Sequence, residues 1–179
     1  MAQNRIPVGG TDPGNSRTDR GLYVLFTVTA ALVAAGAAHI SLTLAVAPWA
    51  MFMGWVAYFT RKPSAGEGLR SFACVVIGLC FGAAATVTVG ALTPTLESLA
   101  FPVTVFATAL AVIAARGLPV LNNLLGYFIG LITYFAAHPE PGLLAIAELA
   151  GAVGLGCLAG WLAQSVESQV RQIGGQVAH

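Results

Sequence analysis

From Leu22 to Thr60 the chain carries no Asp, Glu, Lys or Arg. The stretches Ser71–Leu96, Ser98–Ala115 and Gly117–Pro139 are equally free of them. A water-soluble domain averages about 25% charged residues. Here 8% are charged and 57% hydrophobic, at a mean hydropathy of +0.81. A chain so written must bury its backbone polar groups internally, and in lipid that leaves helices or a closed barrel.

Six apolar segments are legible, near Leu22–Ile40, Leu42–Thr60, Leu69–Leu92, Leu96–Ala115, Leu118–Ala137 and Gly142–Ala163. Each has about the length that crosses ~30 Å of hydrocarbon at 1.5 Å per residue. The runs are long and lack period-two alternation, so they predict helices. Turn chemistry separates them, as in Arg61-Lys62-Pro63-Ser64-Ala65-Gly66, Thr93-Pro94-Thr95 and His138-Pro139-Glu140-Pro141-Gly142. Residues 1–20 are polar and glycine-rich and read as a flexible tail; 21–165 form one membrane domain, and 166–179 a short second tail.

Basic residues give the orientation. Arg5, Arg17 and Arg20 precede the first segment, and Arg61, Lys62 and Arg70 flank the second gap. Arg116 lies between segments four and five, and Arg171 follows the sixth. All fall on one side, so the positive-inside rule puts both termini in the cytoplasm. A rival reading takes Arg17, Arg20, the next apolar run and Ala35-Gly36-Ala37 as a cleaved secretory signal, which would leave five segments.

The apolar text also echoes itself. Phe26-Thr27-Val28-Thr29 recurs as Phe101-Pro102-Val103-Thr104, and Gly54-Trp55-Val56-Ala57-Tyr58-Phe59 as Gly130-Leu131-Ile132-Thr133-Tyr134-Phe135. Gly68-Leu69 and Gly82 recur as Gly142-Leu143 and Gly156, so the offsets are 75, 76 and 74. Three segments per half is an odd number, so two such halves would cross the bilayer in opposite senses. The expected architecture is all-α: six transmembrane helices as two inverted three-helix repeats, about 22–92 and 96–163.

Segments two and five are the pointers to a working site. Pro48 interrupts one, and Pro119, Asn122, Asn123 and Gly126 stand near the start of the other. Interrupted segments at matching places mark transport sites in inverted repeats. Met51, Gly54 and Tyr58 share one helical face, and their repeat partners are Tyr127, Gly130 and Tyr134. Tyr58 and Tyr134 would guard the two mouths of a path, with Asn122 or Asn123 offering hydrogen bonds. The competing reading is an interfacial aromatic belt with Trp49, Trp55 and Trp161.

Glu148 lies inside segment six, and an intramembrane carboxylate must pair, protonate or face water. Its repeat partner at an offset of 74 is Cys74, and a contact with His39 would make a proton-sensitive site. The pairs Gly78/Gly82, Gly126/Gly130 and Gly156/Gly160 are small-residue stripes suited to close helix packing. Cys74, Cys80 and Cys157 read as small buried residues, without metal-ligand spacing. No hydrolase, zincin, Walker or Rossmann pattern occurs, so no enzyme, cofactor or metal is expected. A net charge of +1 gives no reason for a nucleic-acid partner. The Asn-Pro-Ala motifs of aquaporins are absent.

Pro48-Trp49-Ala50-Met51-Phe52-Met53-Gly54, Tyr58-Phe59 and Gly68-Leu69 resemble the second and third helices of the YcdZ-like family. Leu96-Glu97-Ser98-Leu99, Gly126-Tyr127-Phe128-Ile129-Gly130 and Phe135-Ala136 are similar to its later helices. The resemblance spans about residues 45–163 and implies a small bacterial inner-membrane protein with a domain of unknown function. The expected function is a homo-oligomeric channel or facilitator for a small, polar, neutral solute. A non-transporting scaffold or accessory subunit, or a proton-coupled carrier using Glu148, stands as the alternative.

Overall fold

A computed structural model describes residues 13–177, with side-chain surroundings for residues 20–169. The helices are α1 (Pro13–Thr43), α2 (Pro48–Tyr58), α3 (Ala65–Leu96), α4 (Ala100–Ala115), α5 (Leu124–Ala137) and α6 (Leu143–Val177), with a 3-10 turn, Glu97–Leu99, before α4. The described residues include no strand. By length and composition three stretches can cross a membrane: Arg20–Thr43, Ala65–Ala115 (taking in α3, the 3-10 turn and α4) and Leu143–Gln169. The chain therefore has the make-up of an all-helical membrane protein.

Residues 1–12 of the expected N-terminal tail lie outside the described residues. Its remainder is helical, because α1 begins at Pro13, the N-terminal position where proline costs no hydrogen bond. Most of 166–179 is likewise helix, as α6 runs to Val177, and 178–179 lie outside the described residues.

Two segments are shorter than their apolar runs. Leu42 and Thr43 finish α1, and α2 starts only at Pro48, in its first turn. Between them Ala45 sits at φ 54°, and Ser41 Oγ donates to the Val46 carbonyl at 2.8 Å. At 11 residues α2 is about 16 Å long, half a bilayer. α5 begins at Leu124, not Leu118. Pro119 disfavours helix at Leu118, and Asn123 caps the first turn by accepting from Gly126 N–H at 3.2 Å. α3 opens on a capping signature, Ser64 Oγ accepting from Glu67 N–H at 3.1 Å. It ends at Glu97, where φ is 45°.

The packing order follows from the buried clusters. α2, α3, α5 and α6 form the centre, with Ala50, Leu79, Tyr134, Leu149 and Ala152 in one cluster and Ala57, Val75, Val153 and Cys157 in the next. α1 lies against α2 and α6 through Ala37, Met51 and Ala159. α4 lies against α3 and α5 through Val112, Cys74, Tyr127 and Leu131. The outer faces of α1 and α4 stay apolar and exposed, as at Leu32 and Phe106, which suits contact with lipid.

Candidate functional site

Two seams hold the centre, and both are made by glycine. In the first, α2 runs along α6: a Cβ added at Gly54 would fall 2.6 Å from the Val153 carbonyl carbon, and one at Gly156 would fall 2.7 Å from Trp55 N. In the second, α5 runs along α3: a Cβ at Gly130 would fall 2.8 Å from Gly78 Cα, and one at Gly78 would fall 3.0 Å from Gly130 Cα. Only a residue without a side chain lets two helix backbones approach so closely. Cys157 Sγ donates to the Gly54 carbonyl at 3.2 Å across the first seam.

Each seam ends in a buried tyrosine. Tyr58 closes α2, its ring held between Gly68 of α3 (2.9 Å from a Cβ there) and Gly160 of α6 (3.1 Å). Tyr134 is held against Gly82 of α3, where a Cβ would lie 2.7 Å from its own Cβ. Both residues are 1% exposed and so are packed inside the bundle, whereas Trp49 and Trp161 are each 38% exposed. Tyr127 is buried as well, and its hydroxyl donates to the Leu121 carbonyl at 2.6 Å. Met51 is fully buried between α1 and α6. The Tyr134 hydroxyl is buried without a hydrogen-bond partner among the described residues.

The two asparagines are spent on the architecture. Asn123 caps α5 with its oxygen, while its Nδ2 donates to Thr60 Oγ1 at 2.6 Å and to Ser71 Oγ at 3.2 Å. Thr60 Oγ1 in turn donates to the Ala57 carbonyl at 2.7 Å. Asn122 Oδ1 accepts from Arg61 Nη1 at 2.6 Å. Arg61 also pairs with Glu67, which pairs in turn with Arg70. This clasp joins the α2–α3 and α4–α5 connections at one end of the bundle. Glu67 stands before the apolar run that starts at Leu69, and its hydrogen bond from Arg61 holds its carboxyl below the usual range.

The other end is acidic. Glu148 and His39 are both exposed, and no ion pair joins them among the described residues. Glu148 lines a cavity of about 530 Å³ with Leu42, Val46, Trp49, Pro139 and Leu149, between the α1–α2 connection, the end of α5 and the start of α6. A second cavity, of about 410 Å³, lies at the clasp end around Tyr58, Phe72, Cys157 and Trp161. Of the three cysteines, Cys74 and Cys157 are buried, but Cys80 is exposed, on the face of α3 turned from the centre. No group of three His, Cys, Asp or Glu suited to a metal occurs among the described residues.

Thr60, Ser71, Arg61 and Glu67 were not singled out from sequence. Only the Ser64-Ala65-Gly66-Glu67 capping pattern was readable there. The polar bridge joins residues 52 and 63 positions apart, which no local pattern announces.

A family model described as a protein of unknown function (DUF1097) matches residues 27–164. No curated protein and no solved structure matches the chain.

Proposed function

The chain belongs to this family of unknown function, and we propose from its own packing that it is a gated channel or facilitator for a small, polar, neutral solute. The observation that carries this reading is the pair of short helices, α2 and α5, each ending near a buried tyrosine seated on glycine of a long helix. Short or interrupted segments at matching places are the mark of a transport site in an inverted repeat. The two seams support such a repeat. Gly54 meets Val153 as Gly130 meets Val75, Gly156 meets Met51 as Gly78 meets Tyr127, and Gly160 meets Tyr58 as Gly82 meets Tyr134. These pairs keep an offset of 76 from α2 to α5 and of 78 from α3 to α6. The α3–α6 echo at 74 is thus slipped by four residues, about one helical turn. At 78, the counterpart of Glu148 is Arg70 instead of Cys74.

In this reading six segments cross the membrane, α2 and α5 together with the non-helical residues beside them; the positive-inside rule puts both termini inside, and the YcdZ-like resemblance implies the bacterial cytoplasmic membrane. The clasp of Arg61, Glu67, Arg70 and Asn122 then faces the cytoplasm. The seams are closed, so passage requires α2 to part from α6 or α5 from α3. Met51, Gly54, Tyr58, Tyr127, Gly130 and Tyr134 would be uncovered by that movement.

One observation favours a second reading, a non-transporting scaffold or accessory subunit. The cavity beside Glu148 and the one beside Tyr58 are lined by opposite faces of α6, Ala145, Glu148 and Ala152 on one and Gly154, Cys157 and Trp161 on the other, so neither continues into the other. Proteoliposomes challenged with urea, glycerol and formamide separate the two. Transport predicts swelling faster than in protein-free vesicles for at least one solute. Equal rates across the panel favour the scaffold.

A further inference from the structure

We propose that the cavity beside Glu148 binds an organic cation: a protonated amine with an apolar body. This goes beyond the transport reading and holds whether or not anything crosses the membrane.

The cavity is about 530 Å³, within the range of sites for small organic ligands. Glu148 is the one ionisable side chain on its lining; the rest is aliphatic except for Trp49 and Pro139. No described salt bridge engages Glu148. Lys and Arg are absent from Leu22–Thr60 and from residues 117–170, which together hold every residue that lines the cavity. His138, the nearest basic residue in sequence, turns its Nδ1 to the Ala136 carbonyl at 3.2 Å. A carboxylate on an apolar wall without a counter-charge calls for water or a cation to meet it.

The remaining lining decides which cation. A bare metal ion is best held by several side-chain oxygens, and Glu148 supplies the one side-chain oxygen group on the lining. An ammonium group needs one strong acceptor and gains further from an aromatic face, here Trp49. Leu42, Val46 and Leu149 then cover an apolar body. The first turn of α2, at Trp49, presents the positive end of a short dipole to the same space. That is about half a unit charge against the full charge of the carboxylate, so the cavity still favours a cation.

The test uses the full chain in phosphatidylcholine nanodiscs, which carry no anionic lipid, and equilibrium dialysis with 2-phenylethylammonium. Empty nanodiscs are subtracted. Saturable binding is expected, weakened at least about tenfold by Glu148→Gln, the scale of a charge-assisted hydrogen bond. 2-Phenylethanol, the neutral isostere, should bind more weakly by a similar factor. Trp49→Leu should weaken the ammonium about threefold, and Glu97→Gln, outside the cavity lining, should leave binding unchanged. Absence of saturable binding, equal binding by wild type and a folded Glu148→Gln, or equal binding of ammonium and alcohol would each overturn the proposal. Solute swelling of proteoliposomes is read separately, so failure of either reading leaves the other standing.

Discussion

Gly54 rests directly on the backbone of Val153, leaving no room for a Cβ between α2 and α6. Gly130 stands in the same relation to Val75 between α5 and α3. In membranes, where lipid tails are as apolar as leucine, such backbone contact is a principal source of helix association. Gly54, Gly78, Gly130 and Gly156 thus lie where helix backbones touch at the centre of the fold.

Replacing either glycine by alanine sets two effects against each other. Alanine gains about 1 kcal/mol of intrinsic helix propensity over glycine. The added methyl must force two backbones apart, an overpacking cost of about 1–3 kcal/mol and more where backbone cannot yield. Gly54→Ala and Gly130→Ala are expected to destabilise the fold, whereas Gly36→Ala and Gly151→Ala, with nothing within 4 Å of the new carbon, are expected to be neutral or mildly stabilising. Unfolding in mixed micelles titrated with SDS gives the ranking. Equal midpoints for all four variants would contradict the seams.

Asn123 serves three partners at once, so its loss should exceed that of an ordinary cap. Asn123→Ala removes the acceptor for Gly126 N–H and both donations, to Thr60 and Ser71. A lost cap costs about 1 kcal/mol, and buried hydroxyls deprived of a partner add about 1–3 kcal/mol. Asn123→Asp keeps the cap oxygen but has no N–H to give, so it should fall between wild type and alanine. The same SDS titration reads the order, and an aspartate variant as stable as wild type would show that the donations contribute nothing.

The clasp should make the protein acid-sensitive at one end. Glu67 is held below the ordinary carboxylate range, first by the hydrogen bond from Arg61 and then by the charges of Arg61 and Arg70. A depressed folded-state value means the stabilisation is complete above the unfolded carboxylate's value, roughly 4.3. It is lost as pH falls from there through the lower folded value. Glu67 is half-buried at one end of the bundle and Arg70 beside it is exposed, so solvent screening keeps the effect small. Melting followed from pH 7 to pH 3 should show a steeper acid-side fall for wild type than for Glu67→Gln. Parallel curves would contradict this.

The parts legible in the sequence were those set by local chemistry. The long charge-free runs foretold an all-helical chain with stretches long and apolar enough to cross a membrane. What could not be read was decided by contacts across the fold. Pro119 and the Asn123 cap bring the start of α5 to Leu124, and the bonds from Asn123 to Thr60 and Ser71, which no local pattern announces, hold that start in place. The echo of Gly82 at Gly156 was one turn out of step with the packing. A slip of four residues keeps the same helical face, so a face-based reading cannot detect it. Asn122 and Asn123 stood out as hydrogen-bonding groups in apolar text, but their side chains are taken by Arg61, Thr60, Ser71 and the α5 cap.

Two of the buried tyrosines, Tyr127 and Tyr134, should respond differently to loss of their hydroxyls. Tyr127 donates to the Leu121 carbonyl and fixes the extended approach to α5, so Tyr127→Phe should cost about 1 kcal/mol. Tyr134 is 1% exposed and its hydroxyl has no partner among the described residues. An unsatisfied buried hydroxyl carries a desolvation penalty of about 1–3 kcal/mol, and phenylalanine removes it while keeping the ring against Gly82. Tyr134→Phe is therefore expected to be neutral or stabilising by up to about 1 kcal/mol, in the same titration that records the loss at Tyr127. If Tyr134→Phe instead destabilises the protein, its hydroxyl has a partner such as a held water. Solute swelling of the same variant then asks whether that partner lies on a path: slower uptake with an intact fold ties the hydroxyl to passage, and unchanged uptake confines it to structure.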